Sequence, residues 1–532
     1  MLNLSLTKLY LQNFGGFMLF RIRYSHLIFS LSAVLTLGGC ASFEPEALQP
    51  AEISATVHAD KQALRQDVEP LGEQLTLEEA IARAIKYNAE RRFKAMEEAV
   101  AQGNLEVGKF DMLPKLVASA GYRNRDNDLV TRSQDSVTGQ PSLTHPYISS
   151  SRDALTTDLG FSWSLLDFGQ SYFAAKQNAD RVLIAAENRR KATHMLIQDV
   201  RTAYWRVVAA EKLGNGLRAA IQEAEEALGD ARKAEKEKLR TPVEPLRYQR
   251  QLLENIRLLE IIQQELSTAR IELAALTSLP LSQARMIQVV EPSSTLNTAW
   301  SDASLERMEE QALQLNPDLR ASMYNARIAR QETRRALLKL FPGLSFNYSH
   351  KTSDDRFLIN QSWNEAGAQI SFNLLGLLSA PAQMRLADAG VALADQRRMA
   401  AQMAVLTQLH LARQQYANAT HQFERSDAIS EVDNRLAQHI VNQEKAERQT
   451  KLERVSQQTA AILSALRRYQ ALSNVQAAAS RLQATLGLEP AIEGSDQMSL
   501  PALTAAVAKS LKGWEKGDLT TPQESASFTC KE

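Results

Sequence analysis

The sequence predicts a mostly α-helical protein with a small β part, built as two copies of a unit in which a β-hairpin leads into a long coiled-coil helical hairpin. Three observations support this fold class. Aromatic residues make up only 6% of the chain while Ala, Leu, Gln, Glu and Arg recur throughout, a composition that favours long helices. Two segments repeat the same order of predicted elements. In each segment, short runs of alternating apolar and polar residues lead into long stretches with helical periodicity.

Charge and cysteine content exclude several classes of protein. The 532 residues carry 61 Lys+Arg and 61 Asp+Glu, a formal net charge of +0. This balance removes the main electrostatic argument for a nucleic-acid partner. The two cysteines, Cys40 and Cys530, are too few for a disulfide scaffold or a Cys-rich metal site. We therefore predict no metal and no cofactor.

The N-terminus has the layout of a bacterial signal peptide. Two arginines precede a short apolar run, Leu27–Leu37, and Gly38-Gly39-Cys40 follows at once. The last residues resemble a lipobox, which implies cleavage before Cys40 and attachment of lipid to its thiol and new amino group. The alternative is a chance cysteine after an ordinary secretory signal. Met18 offers an alternative start of translation.

The internal repeat sets the predicted organisation of the mature chain. Each copy reads as a helix, a break at an asparagine, a second helix, a proline and an extended run, with Asn88 matching Asn316 and Pro114 matching Pro342. We expect a signal peptide at 1–39, a lipidated linker at 40–74, repeats at 75–290 and 301–488, and a tail at 489–532.

Four runs alternate with period two, which predicts strands with one apolar and one polar face. The predicted strands are Leu116–Tyr122, Leu155–Leu165, Leu344–His350 and Ala366–Leu374. The polar face includes Asp158, Ser162, Ser164, Gln369, Ser371 and Asn373. Ordinary soluble hairpins that bury one face are the alternative interpretation, because membrane-strand signals are individually weak.

Membrane strands in this chain would require an oligomer. An open sheet edge is not tolerated in lipid, and a closed membrane barrel normally needs about eight strands or more. Four strands cannot close such a barrel. If the strands lie in a membrane, several chains must therefore contribute to one barrel.

Each strand pair precedes a predicted helical hairpin. The first hairpin runs from Gln170 to Lys238 and returns to Leu279, and the second rises from Pro381 and returns to Leu486. An arm of about 65 residues would be roughly 100 Å long. Such arms cannot be buried in one globular core, so we expect them to pack laterally in coiled-coil fashion.

These features together resemble the outer-membrane efflux protein family, the TolC-like channels, over Leu75–Leu488. The resemblance depends on the order of several motifs and not on any single one. They are LTLEEAI before Asn88, SLERMEEQAL before Asn316-Pro317, and FSWSLLDFGQ (Phe161–Gln170) with its counterpart ISFNLLGLLSAP (Ile370–Pro381).

The resemblance implies a trimeric α-barrel tube with a shared 12-strand transmembrane β-barrel. It implies a lipoprotein of the outer membrane that extends into the periplasm and is not an enzyme. The partners would be two further copies of the chain in a homotrimer, outer-membrane lipid, a periplasmic adaptor protein and an inner-membrane pump, in tripartite efflux or type I secretion. The polar strand positions would line the pore.

The resemblance also places the adaptor contacts at the tips of the helical hairpins. The candidates are Leu239, Arg240, Thr241, Val243, Lys451 and Leu452. These tips read KLRTPVEPLRYQ and AERQTKLERVSQ, which departs from the Gly and Asp-Val-Leu-like turn of the family. Acidic residues that narrow the entrance would come from Glu444, Glu447 and Glu453. The alternative is that these three are solvated charges on helix surfaces.

Two other functions are weighed against the channel. A periplasmic coiled-coil adaptor or scaffold lipoprotein that does not span the membrane would explain the lipid and the helices, but not four alternating runs placed symmetrically in two repeats. A lipoprotein enzyme would need a catalytic constellation. The sequence contains no Gly-rich phosphate loop, HExxH, GxSxG or CxxC pair, so we predict that the protein is not an enzyme.

Overall fold

The computed structural model describes residues 47–132, 134–141, 145–236, 243–292, 300, 303–446, 450–488 and 497–516. The chain divides into two units, Met1–Ala63 and Leu64–Glu532. In the first unit, helix α1 (Pro50–Ala63) has no buried residue. The predicted lipidation site Cys40 lies outside the described residues.

The second unit is mostly helical with a small sheet. Its helices are α2 (Leu77–Tyr87), α3 (Ala89–Phe110), α4 (Leu165–Lys236), α5 (Val243–Ser267), α6 (Ala269–Leu276), α7 (Leu305–Leu315), α8 (Pro317–Leu338), α9 (Gly376–Lys445), α10 (Lys451–Thr485) and α11 (Leu500–Glu515), with a 3₁₀ turn at Leu281–Met286. Its strands are β1 (Lys115–Asn124), β2 (Val130–Thr131), β3 (Tyr147–Ile148), β4 (Asp153–Ser164), β5 (Gly343–Ser353) and β6 (Ser362–Ser371). The predicted fold class is confirmed at this level.

Two asparagines perform the same local task in the two halves of the sequence. Asn88 and Asn316 share a backbone conformation, with φ/ψ of −60/127° and −61/126°. Each side-chain oxygen accepts hydrogen bonds from two backbone N–H groups at the start of the next helix. Each side-chain nitrogen donates to a carbonyl at the end of a distant helix, Leu276 at 3.3 Å and Thr485 at 3.1 Å. The helix break at each asparagine is therefore also a tertiary contact.

The chain just beyond those two carbonyls turns in the left-handed region. Ser278 has φ +56° and Gly487 has φ +69°. A Cβ at Gly487 would lie 2.5 Å from the Leu315 carbonyl oxygen, so only glycine fits there. At the matching place in the first half, the Ser278 hydroxyl donates to the Tyr87 carbonyl at 3.0 Å.

Four strands form one antiparallel sheet in the order β1-β4-β5-β6. Hairpin β1–β4 comes from the first half and hairpin β5–β6 from the second, and β4 pairs with β5 across the halves. The register aligns Phe161 with Leu116 on one side and Tyr348 on the other. Among the described residues, β1 and β6 each have an unpaired edge. The small β2–β3 pair forms a separate two-stranded sheet.

The helices that follow or precede these strands pack in the same order, α3-α4-α8-α9. Helix α4 spans 72 residues, about 110 Å at 1.5 Å per residue, and it also contacts α5, α6 and α10. The main core lies where these helices meet α2, and its largest fully buried side chains include Trp205, Trp300 and Tyr87. In the part of the chain that the structure describes, no helix combines the length and hydropathy needed to cross a membrane.

The C-terminal tail, to which the sequence assigned no role, contributes to this core. Helix α11 packs against α2 and buries Leu503, Val507 and Trp514. The apolar residues of α11 recur at helical spacing in the sequence, as expected for a helix that buries one face.

Three predicted helix bounds were wrong. Helix α4 begins at Leu165, not Gln170, and α9 begins at Gly376, five residues before Pro381. Just before α9, the Asn373 side chain accepts from the Gly376 N–H at 2.9 Å, which stabilises the turn that leads into the helix. The return arm of the first hairpin is not continuous to Leu279. It breaks between α5 and α6 at Thr268 and ends at Leu276.

Candidate functional site

The polar positions predicted for the strands lie together on one face of the sheet. Five of the six lie in strands, namely Asp158, Ser162 and Ser164 in β4 and Gln369 and Ser371 in β6. The β5 residue between them is also polar. Ser345 pairs with Ser164 on β4 and with Gln369 on β6. The sixth assignment was wrong. Asn373 lies two residues beyond the end of β6, where its side chain accepts from the Gly376 N–H. The alternation of the sequence continues past the last strand residue.

This polar face also carries a cluster of charges. The register places Lys351 opposite Asp158, and the Lys351 ammonium lies 2.6 Å from the Glu365 carboxylate. All three charged side chains belong to the face that holds Ser162 and Gln369. A sheet face that carries these charged and hydroxyl side chains is suited to contact water.

The opposite face is apolar and is not covered by other described parts of the chain. It contains Leu159, Phe161 and Trp163 from β4, facing Tyr348 and Phe346 on β5. Several of these side chains are substantially exposed, and Ile370 on β6 is 74% exposed. An ordinary soluble hairpin would bury this face in a core, and no described part of the chain does so. An exposed apolar patch of this extent marks a surface for lipid or protein.

The tips of the helical hairpins hold only part of the predicted contact set. Leu239, Arg240, Thr241 and Glu447 lie outside the described residues. Val243 begins α5 and is exposed. Lys451 begins α10 and its ammonium lies 3.3 Å from Asp230 of the first hairpin.

The remaining predicted tip residues also contribute to local structure. Leu452 packs against a small apolar cluster around Leu252 and Val455. Glu444 lies 3.5 Å from Arg454, so it is partly neutralised. The backbone N–H of Glu453 donates to the Thr450 hydroxyl at 3.3 Å, the geometry of a helix N-cap.

No protein-family model and no curated protein matches the sequence, but solved structures match its fold over most of their length. The outer membrane channel CmeC of Campylobacter jejuni is 13% identical, with TM-score 0.62 over 83% of this chain and 90% of that chain. VceC, an outer membrane protein of Vibrio cholerae, is 16% identical, with TM-score 0.58 over 78% and 97%. The MtrE outer membrane channel of Neisseria gonorrhoeae is 15% identical, with TM-score 0.59 over 80% and 95%. The chain has the TolC-like channel fold.

In this TolC-like fold the loops at the free end of the sheet are joined to each other. The Asp355 carboxylate accepts from the Ser151 N–H at 3.0 Å and from the Ser150 hydroxyl at 3.1 Å. Hydrogen bonds from the backbone N–H groups of Ser151 and Phe357 lower the pKa of Asp355 to about 2. The Asp354 carboxylate accepts from the Leu155 N–H at 2.7 Å. The loop after β5 is thereby fixed against the segment before β4.

The sequence reasoning missed a set of buried polar side chains on α4. They recur every seven residues, at Asp180, Glu187, His194 and Arg201. Asp180 pairs with Arg327, Glu187 lies 2.7 Å from Arg320, and Arg201 donates to Ser480 at 2.8 Å. The heptad spacing was a signal that could have identified them.

His194 is the titratable member of that set. Burial, with a further contribution from the positive charge of Arg190, lowers its pKa to about 3. The side chain is therefore neutral in the folded protein at neutral pH.

Metal chemistry finds no support in the described residues, where no group of three or more His, Cys, Asp or Glu side chains could hold an ion. Several carboxylates on the long helices pair with Arg or Lys, such as Glu223 with Arg454 at 2.8 Å. The candidate functional surface is therefore the two-faced sheet together with the hairpin tips.

Proposed function

We propose that the protein is an outer-membrane channel subunit that passes substrates from a periplasmic adaptor and an inner-membrane pump to the outside, in tripartite efflux or type I secretion. The observation that carries this proposal is the sheet. It has one polar face, one exposed apolar face and two unpaired edges, and it is continuous with long helical hairpins. The similarity of the fold to CmeC and MtrE, which are outer membrane channels, supports the same function.

The apolar face suits lipid and the polar face suits a water-filled passage. Four strands leave two edges open, and open edges are not tolerated in lipid. Three chains would supply twelve strands, enough for a closed barrel. We therefore propose a homotrimer in which Asp158, Ser162, Ser164, Gln369 and Ser371 line the passage.

The helical part would carry the path away from the membrane. An arm about 110 Å long is suited to cross a periplasmic space, and the exposed tip residues Val243 and Lys451 would meet the adaptor. Lipid on Cys40 would add an anchor in the outer membrane. Conduction would be passive, and the energy would come from the inner-membrane partner.

Neighbouring residues of β4 provide a matched pair of variants for the test. Phe161 faces the apolar side and Ser162 the polar side. A cation on the lipid face of a membrane strand costs about 2–4 kcal/mol at the midplane and far less on the lumen face. We expect Phe161→Arg to reduce the trimer recovered from outer membranes, whereas Ser162→Arg leaves assembly intact and lowers single-channel conductance.

The measurements are the detergent-corrected mass by light scattering and the conductance in planar bilayers. A trimer with the asymmetric response of the two variants supports the channel. A monomer that washes off membranes without detergent contradicts it and favours the periplasmic scaffold. Equal responses of Phe161→Arg and Ser162→Arg would contradict the assignment of the two faces.

A further inference from the structure

A cavity of about 300 Å³ lies within the helical part of the chain, apart from the two-faced sheet and the hairpin tips. Its described lining residues come from five helices, α2, α4, α9, α10 and α11, and from the segment that ends at Pro292. Pockets that hold small organic molecules have volumes from about 300 to 1,000 Å³. The cavity therefore has room for a small molecule.

Aromatic and aliphatic side chains form much of the cavity wall. Three of the five tryptophans of the chain line it, namely Trp205, Trp300 and Trp514. Trp205 and Trp300 are 1% and 2% exposed, and the lining residues Leu472 and Val475 are also buried. Aromatic rings pair with one another in stacked or edge-to-face arrangements. This wall therefore favours a flat aromatic ligand over a flexible chain.

The indole N–H of Trp205 adds one specific requirement. Its Nε1 atom is buried and has no hydrogen-bond partner among the described residues. An indole nitrogen can only donate, and a buried donor that lacks an acceptor is destabilising. A ligand in the cavity that carries an acceptor would satisfy this donor.

Arg201 brings a positive charge to the same wall. Its guanidinium donates to the Ser480 hydroxyl at 2.8 Å and to the Gln483 side-chain oxygen at 3.0 Å. Arg201 is 7% exposed, so its charge lies in a place of low water content, where charge interactions are stronger than at the surface. The neutral oxygens of Ser480 and Gln483 fix the position of this charge.

The other charged residues of the lining do not cancel that charge. Lys512 of α11 is a second cation of the lining. The lining also contains two carboxylates, Glu78 and Glu291. Glu291 lies 2.7 Å from the ammonium of Lys212, which neutralises it. Arg201 and Lys512 together then outweigh Glu78, so the lining favours an anion.

We propose that this cavity binds a small aromatic carboxylate, whose oxygens accept from the Trp205 N–H and lie near Arg201 while its ring packs against Trp300 and Leu472. Because the lining connects α11 with four other helices, such a ligand would stabilise the attachment of the C-terminal helix to the core. The inference does not depend on the proposed channel, since all of these residues belong to one chain.

Calorimetric titration of the full-length lipoprotein in lipid nanodiscs tests the site, with 2-naphthoate as the probe and empty nanodiscs as the blank. Nanodiscs replace detergent, which would compete for an apolar cavity. The amide 2-naphthamide has the same rings and a carbonyl acceptor but no charge, whereas decanoate has the charge but no ring. We expect 2-naphthoate to bind roughly tenfold more tightly than either, because hydrogen bonds to ionised acceptors are stronger and flat rings suit the aromatic wall.

Variants of the lining locate the binding. Trp205→Phe keeps an aromatic ring and removes the N–H, so we expect roughly tenfold weaker binding of 2-naphthoate. Its thermal midpoint without ligand should stay near that of the wild type, because the lost donor had no described partner. Trp363→Phe, in strand β6, is the matched control and should bind as the wild type does. Ala508→Leu narrows the cavity from α11 and should also weaken binding, whereas Ala505→Leu on the exposed side of α11 should not.

Four results would contradict the proposal. Heat of 2-naphthoate binding no greater than that of empty nanodiscs would overturn the site. Equal affinity for 2-naphthamide would overturn the preference for an anion, and equal affinity for decanoate would overturn the aromatic class. Unchanged affinity in both Trp205→Phe and Ala508→Leu would show that the probe binds elsewhere. Each of these results leaves the proposed channel standing, because the channel is tested separately by mass and conductance.

Discussion

Asn316 carries two separable contributions to stability, and its partner in the first repeat provides a matched comparison. Its side-chain oxygen accepts from the N–H groups of Asp318 at 3.0 Å and Leu319 at 3.2 Å. Its amide donates to the buried Thr485 carbonyl at 3.1 Å. Replacing an N-cap asparagine by alanine costs about 1 kcal/mol, and a buried carbonyl left without a donor costs about 1–3 kcal/mol. We expect Asn316→Ala to cost roughly 2–4 kcal/mol in total.

Asn88→Ala should cost less, about 1–2 kcal/mol, because its bond to the Leu276 carbonyl is longer, at 3.3 Å, and less buried. Asn316→Asp keeps the acceptor for the helix cap but removes the donor to Thr485. This variant therefore separates the contribution of the cap from that of the Thr485 hydrogen bond. The assay is the thermal midpoint of the helical circular dichroism of the detergent-solubilised protein. We expect the thermal midpoint to be highest for the wild type, lower for Asn88→Ala and lowest for Asn316→Ala. A midpoint of Asn316→Asp equal to wild type would refute the role of the Thr485 contact.

Two further predictions use the same thermal assay. Gly487→Ala should lower the midpoint, with a loss of stability of roughly 1–3 kcal/mol, since its Cβ would meet the Leu315 carbonyl oxygen at 2.5 Å. Ser278→Gly should stay near wild type, and equal loss in both variants would contradict this. His194 should make the protein less stable as pH falls from 7.5 to 5. Its folded pKa of about 3 lies below the ordinary 6.5, so only the unfolded state takes up a proton in that window. His194→Gln should flatten this dependence, and an unchanged slope would show that other groups cause it.

The sequence predicts the elements of this fold better than their ends. Period-two alternation located all four long strands, because each strand has one polar and one apolar face. The same alternation continued to Asn373, although the chain leaves the sheet at Ser371 and the Asn373 side chain accepts from the Gly376 N–H at the start of α9. Similarly, Pro381 is typical of a helix start, yet α9 begins five residues earlier, at Gly376. A local pattern cannot show which backbone groups a neighbouring element has already paired.

The sequence likewise predicted some features of the candidate site and not others. Alternation predicted five of the six polar strand positions, since parity alone decides which face a residue occupies. It did not predict that β4 would pair with β5, a contact between the two repeats. The tip contacts came only from resemblance, and four of the residues named there or at the entrance lie outside the described chain. Where the structure describes the tips, Leu452 and Glu444 are used to hold the hairpins together.

The buried polar residues on α4 help to fix the register in which this long helix packs. A helix of 72 residues that packs by a heptad pattern could slide by seven residues and keep its apolar contacts. The buried side chains at Asp180, Glu187, His194 and Arg201 change in charge along the helix. If α8 moved by one heptad so that Arg327 met Glu187, Arg320 would come to lie beside the neutral, buried His194. The partly buried Arg320 guanidinium would lose its carboxylate there, so the slipped register is disfavoured. Polar residues at core positions of coiled coils set register in this way at some cost in stability.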